Sequence, residues 1–139
     1  MSRSTKNSLV EVRIPKKPEF LRVVRLLVSG YASRWPISID EVENIKVAVS
    51  EACNTAIQDS CEEECEEQIA IKCWHEGNQL VFEIKDKSHK GKSQDDIGEL
   101  HEERGLGMLL IKTLMDEVDS KFGPNKGAKI TMKKNLRSA

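Results

Sequence analysis

The chain has almost no net charge, no long apolar run and no apolar leader, and each absence removes a class of function. Its 22 lysines and arginines stand against 23 aspartates and glutamates, for a net charge of −1. No basic field exists to draw in nucleic acid or an anionic membrane. No segment approaches the roughly 18 apolar residues of a membrane span. The opening residues, Met1 to Asn7, are polar and lack the apolar core of a secretion signal. These absences predict a cytoplasmic protein that binds neither nucleic acid nor membrane. Repeats and low-complexity linkers are missing too, and 139 residues suit one domain, residues 1–139. A chain of this length buries enough surface to fold without a covalent staple.

Cysteine is sparse, at Cys53, Cys61, Cys65 and Cys73. Thiols in the cytoplasm stay reduced. Cys61, Cys65 and Cys73 with His75 admit a metal reading. Their spacing matches no familiar zinc module, and glutamates fill the gap between the first two. A solvated acidic turn with incidental cysteines, Cys61 to Glu67, is the better account.

Val10, Val12 and Ile14 alternate with Glu11 and Arg13, the pattern of a half-buried strand. Pro15 and Pro18 end it. From Glu19 to Ser33, the positions Phe20, Val23, Val24, Leu27 and Tyr31 recur at helical spacing. Ser38 followed by Glu41 forms a capping box, which predicts a second helix to about Asp59 with Val42, Ile45, Val49, Ala52, Cys53 and Ala56 inward. Gln68 to His75 and Gln79 to Lys85 read as strands joined by Glu76-Gly77-Asn78. Lys87 to Glu103 is polar and aperiodic, which is more often a functional lid than plain connector. A helix follows from Met108 to about Asp116. Strands near Val118 to Phe122 and Ala128 to Lys133 close the chain. This order predicts an α/β (α+β) two-layer sandwich, with about three helices on one face of a mixed, mostly antiparallel sheet.

Three places carry candidate chemistry. Glu51 and Thr55, four apart, share a helix face, and Asn54 lies beside them. A carboxylate next to short polar side chains can activate a hydroxyl and hold Mg²⁺ with phosphate oxygens, although a solvent-facing polar stripe has the same pattern. Asp86 ends a strand, where an aspartate can accept a hydrogen bond from a base amine or simply begin a turn. Arg104-Gly105-Leu106-Gly107 precedes a helix. Backbone N–H groups there can face an anion, with Arg104 adding a bidentate phosphate contact. The bland alternative is a hinge.

The order of these pieces, with Pro18-Glu19-Phe20, Ile45-Lys46-Val47-Ala48-Val49-Ser50-Glu51-Ala52-Cys53, Gly105-Leu106-Gly107 and Leu114-Met115-Asp116-Glu117-Val118, resembles the GHKL ATPases. Within them it resembles the anti-sigma serine kinases of the RsbW and SpoIIAB type, from about Val10 to Leu136. The resemblance implies a Bergerat-type ATP-binding fold, ATP with Mg²⁺, and phosphorylation of a serine on an anti-anti-sigma (STAS-domain) partner. That partner competes with a sigma factor for the kinase, which is usually a homodimer. It further implies Glu51 as general base, Asp86 reading the adenine amine, and Gly105, Leu106 and Gly107 with Arg104 around the phosphates. Asn54 or Thr55 would hold Mg²⁺, and Arg25 would contact the sigma factor. The chain departs from the family pattern at Thr55, where the family has the metal-holding Asn, at Asp59, where a His is common, and at Ser88, where it has a glycine. These departures motivate an alternative: a GHKL-fold binding module that sequesters a sigma factor or anti-anti-sigma protein without phosphorylating it.

Overall fold

The computed structural model describes residues 8–58, 68–86, 106–123 and 127–136. The acidic turn, residues 87–105 with the expected lid, Arg104 and Gly105, and the cysteines at 61 and 65 lie outside these.

Strand β1, Val10–Pro15, leads through a short 3₁₀ turn at Pro18–Phe20 into helix α1, Leu21–Ala32. Helix α2 is Ile39–Gln58. Its start is fixed by the expected capping box: the Glu41 N–H donates to Ser38 Oγ at 3.1 Å, and that hydroxyl donates to Glu41 Oε1 at 3.1 Å. Strands β2, Gln68–Glu76, and β3, Gln79–Asp86, form a hairpin in which Glu76 pairs with Gln79. Gly77 opens its turn with φ of 58°, a conformation glycine adopts without a Cβ penalty. Residues 106–114 form α3, followed by β4, Glu117–Gly123, and β5, Gly127–Asn135.

The sheet order is β1-β2-β3-β5-β4, and every pairing is antiparallel. The expected sandwich is therefore found, with a uniformly antiparallel sheet in place of a mixed one. Strand alternation turns Ile14, Ile69, Ile71, Phe82, Ile84, Ile130 and Met132 to one side. There they join Val24 and Val28 of α1, Ile45, Val49 and Ala52 of α2, and Ile111 of α3 in a single core. The stripe of α1 differs from expectation in one place. Val24, Val28, Tyr31 and Ala32 are buried, whereas Val23 is 42% exposed, because α1 starts at Leu21 and its buried face follows Val24.

The Leu114 to Val118 stretch fastens α3 to the sheet. Met115 is buried, and Asp116 Oδ2 accepts the Asn135 N–H at 2.7 Å. Lys134, itself buried, donates from Nζ to the Leu114 carbonyl at 2.9 Å. A cation there satisfies an end-of-helix carbonyl and suits the negative end of the helix dipole.

Candidate nucleotide site

Helix α2 sits over the sheet so that two of its faces line two separate spaces. Glu51 and Asn54 face a cleft of about 520 Å³, with Leu21 and Arg25 of α1 and with Lys46 and Ser50 of α2. Thr55, with Ala52 and Ala56, faces a second space of about 10 Å³ bounded by Ile84 and Asp86 of β3 and by Ala128 and Ile130 of β5. Glu51 and Thr55 thus border different spaces. Asn54 is the residue that joins Glu51 in the large cleft. The Thr55 hydroxyl donates to the Glu51 carbonyl at 3.0 Å, a bond within the helix backbone.

The glycine-opened helix meets the Glu51 helix directly. A Cβ placed on Gly107 would lie 3.3 Å from Glu51 Oε2 and 3.5 Å from its Cγ. Backbone of α3 thus packs onto the carboxylate, an approach that a side chain at 107 would crowd. Gly107 and Glu51 are both part-exposed, and Leu106 is 73% exposed at the start of α3. Arg25 donates from Nε to Ser50 Oγ at 3.2 Å, which pins the guanidinium along the cleft wall.

Asp86 ends β3 buried, and its Oδ1 lies 2.8 Å from Lys16 Nζ; the two side chains are 2% and 1% exposed. Lys16 was not among the residues singled out in the sequence. It stands two positions beyond Ile14, so the inward alternation of β1 carries one step past Pro15 and delivers a lysine to the core side. That continued alternation was the available signal. Asp86 is accordingly a partner in a buried ion pair, not a simple turn residue.

Among the described residues, no group of three or more His, Cys, Asp or Glu is placed to hold a metal. Cys73 is buried in the core and free, as is Cys53. Burial pushes both thiols up to about 12, and for Cys53 the nearby Cys73 adds to the rise.

A phosphate-bearing ligand fits one half of this arrangement. The large cleft has the size of a ligand site and offers Glu51, an amide oxygen from Asn54, and the cations Arg25 and Lys46, the latter 3.2 Å from Oε1 of Glu43 in the same wall. The space beside Asp86 does not fit a purine as it stands, because about 10 Å³ accommodates roughly one water.

The profile of the histidine kinase-like ATPase domain matches residues 14–134. The chain belongs to this family. It is 34% identical to the serine-protein kinase RsbW of Bacillus velezensis, across 96% of this chain and 89% of that protein. It is 33% identical to the Bacillus subtilis protein of the same name, across 91% and 85%, and 35% identical to that of Bacillus pumilus, across 92% and 86%. This places it with the RsbW-type members. Among solved structures, it superposes on a crystal structure of RsbU and RsbW domains from Mycobacterium tuberculosis with a TM-score of 0.71 at 14% identity, covering 94% of this chain and 32% of that one. A histidine kinase domain from Erythrobacter litoralis gives a TM-score of 0.59 at 17% identity, over 88% of this chain and 62% of the other. These two likenesses concern the fold. Among the described residues, no helix of this RsbW-type chain is long and apolar enough to cross a membrane.

Proposed function

We propose that the chain is an anti-sigma factor with serine-protein kinase activity. It binds ATP with Mg²⁺ and phosphorylates a serine of an anti-anti-sigma, STAS-domain partner in a partner-switching circuit of the cytoplasm. The observation that carries this reading is the packing of Gly107 against Glu51, which sets the start of a glycine-bearing helix against a helical carboxylate in a chain related to serine-protein kinases. ATP supplies the phosphoryl group. Glu51 takes the proton of the incoming serine hydroxyl, so that the oxygen attacks as a better nucleophile. Asn54 offers the metal an oxygen ligand from the same cleft, and Thr55 serves the base side. Gly107, following Leu106, leaves room for backbone N–H groups to face phosphate, with Arg104 and Gly105 as further phosphate-binding residues. Asp86 reads the base. Arg25 lies on the face offered to a sigma factor, and the working state is a homodimer that responds to stress.

The test is transfer of labelled phosphate from ATP to the cognate anti-anti-sigma protein. Transfer that disappears in Glu51→Gln supports the reading. A chain that binds its partner and transfers nothing overturns the kinase half.

Two observations favour a second reading, a binding module that holds its partners without phosphorylating them: the constricted space beside Asp86 and the Lys16 ion pair on Oδ1 of that acid. Calorimetry separates the two. Tight, Mg²⁺-dependent ATP binding counts against a dead pocket.

A further inference from the structure

The charged pair at the end of β3 fixes what kind of hydrogen bond the sheet offers there. Lys16 Nζ lies 2.8 Å from Asp86 Oδ1, and both side chains are almost wholly buried. The strand register explains the reach. Pro15 pairs with Gln68 and Ile69 pairs with Asp86, so the end of β1 and the end of β3 flank β2 at the same edge. A lysine stem following Pro15 spans the intervening strand. An ammonium at this distance is the counter-charge of a carboxylate. A carboxylate accepts hydrogen bonds at both oxygens and donates none, whereas a neutral carboxylic acid also donates. Deprived of its counter-charge, a buried acid turns to the neutral form. The lysine therefore decides which of the two patterns Asp86 presents. It does so from one side: the bond to Oδ1 restrains rotation of the carboxyl group and does not take Oδ2. Asp86 borders the space between α2 and strands β3 and β5, beside Thr55, so a ligand there meets an oriented acceptor.

We propose that Lys16 is a positioning residue that makes Asp86 select a purine carrying a 6-amino group over one carrying a 6-oxo group. This rests on the reading of Asp86 as the residue that meets the base. Adenine presents a donor at that position, which a carboxylate oxygen accepts in a charge-assisted bond. Hypoxanthine presents an oxygen there, and two acceptors that face each other leave a bond unmade. A neutral acid erases the distinction, because its hydroxyl can donate to the 6-oxo group and its carbonyl oxygen can accept from the amine. Lys16 acts on the ligand through the acid it holds. Glu51, Asn54 and Arg25 line a different space, so the selection lies apart from the groups assigned to catalysis and metal.

The experiment is calorimetric titration of the full chain with MgATP and with MgITP, the inosine nucleotide, wild type against Lys16→Met. The wild type should bind MgATP at least about tenfold more tightly than MgITP, equivalent to about 1.4 kcal/mol. In Lys16→Met that ratio should fall towards one, with MgATP weakened and MgITP not weakened. A lysine that only supports the fold would weaken both nucleotides alike. A retained ratio therefore overturns the role of Lys16 and leaves the nucleotide site and Asp86 standing. Equal binding of the two nucleotides by the wild type overturns the reading of Asp86 and the role of Lys16 with it. Absence of binding by the wild type overturns both together with the nucleotide site. Where Lys16→Met does not fold, Lys16→Gln, which removes the charge and keeps a neutral donor for Oδ1, carries the same expectation.

Discussion

Replacing Gly107 with alanine tests the contact on which the candidate site depends, and it separates geometry from stability. The new Cβ would sit 3.3 Å from Glu51 Oε2 and 3.6 Å from Cδ, so the carboxylate must give by a few tenths of an ångström. Forcing a side chain partly out of its rotamer well costs about 0.5–1.5 kcal/mol. Against this, alanine in a helix is favoured over glycine by about 1 kcal/mol, and residue 107 has no positive φ to forbid it. The two terms nearly cancel, so Gly107→Ala should melt close to the wild type. In a Glu51→Ala background the strain vanishes and the propensity gain remains, so the same substitution should stabilise the chain. The coupling between the two sites in a double-mutant cycle should thus be about 0.5–1.5 kcal/mol, read from urea unfolding of four proteins. Phosphoryl transfer should fall by about 10²-fold in Gly107→Ala, the cost of shifting a catalytic group off its line. Additive stabilities, within about 0.3–0.5 kcal/mol, would show that α3 does not rest on Glu51 and would refute the reasoning.

Two further outcomes follow from single features. Ser38→Ala removes the hydroxyl that accepts the Glu41 N–H and should cost about 1 kcal/mol, measured by urea unfolding, with transfer activity per folded molecule unchanged. The buried thiols make the fold sensitive to alkali. Their ordinary value of 9.0 is raised to about 12 in the folded chain, so above pH 9 the unfolded chain releases thiol protons that the folded chain keeps. Unfolding is therefore favoured as pH rises from about 9 towards 12, by up to about 1.4 kcal/mol per pH unit for each cysteine. Cys53→Ala should flatten that slope, and iodoacetamide at pH 8 should leave Cys53 and Cys73 unmodified while the chain is folded.

The elements that rest on neighbouring residues were legible in the sequence. Alternation in Val10 to Ile14 gave β1, and Ser38 with Glu41 gave the start of α2. A turn around Gly77 gave the β2–β3 hairpin, because each of these signals is written within a few residues. Strand order was not written in that way. β5 inserts between β3 and β4, and nothing local to Gly127–Asn135 names β3 as its second neighbour. Val23 went astray for a related reason: helical spacing allows two overlapping stripes, and only packing against the sheet decides that Val24 and Val28 face inward. Lys16 was invisible for a stronger reason. Two prolines flank Lys16 and Lys17, and together they look like the end of a strand. The value of the lysine comes wholly from Asp86, a residue distant in sequence that a two-strand register brings within reach.

The Asn54–Thr55 pair shows where spacing arguments hold and where they fail. One residue on a helix is a rotation of about 100°, which already implies that neither residue can stand in for the other. Spacing also suggested that Glu51 and Thr55, four apart, act together. Helix α2 borders two spaces, and its side chains divide between them. Glu51 and Asn54 fall on the side of the open cleft; Thr55 falls on the side of Asp86. The larger cleft thus holds two carboxylates, an amide oxygen and two cations, of which Lys46 pairs with Glu43, whereas the smaller space has a hydroxyl bonded to its own helix and an acid whose Oδ1 is held by Lys16.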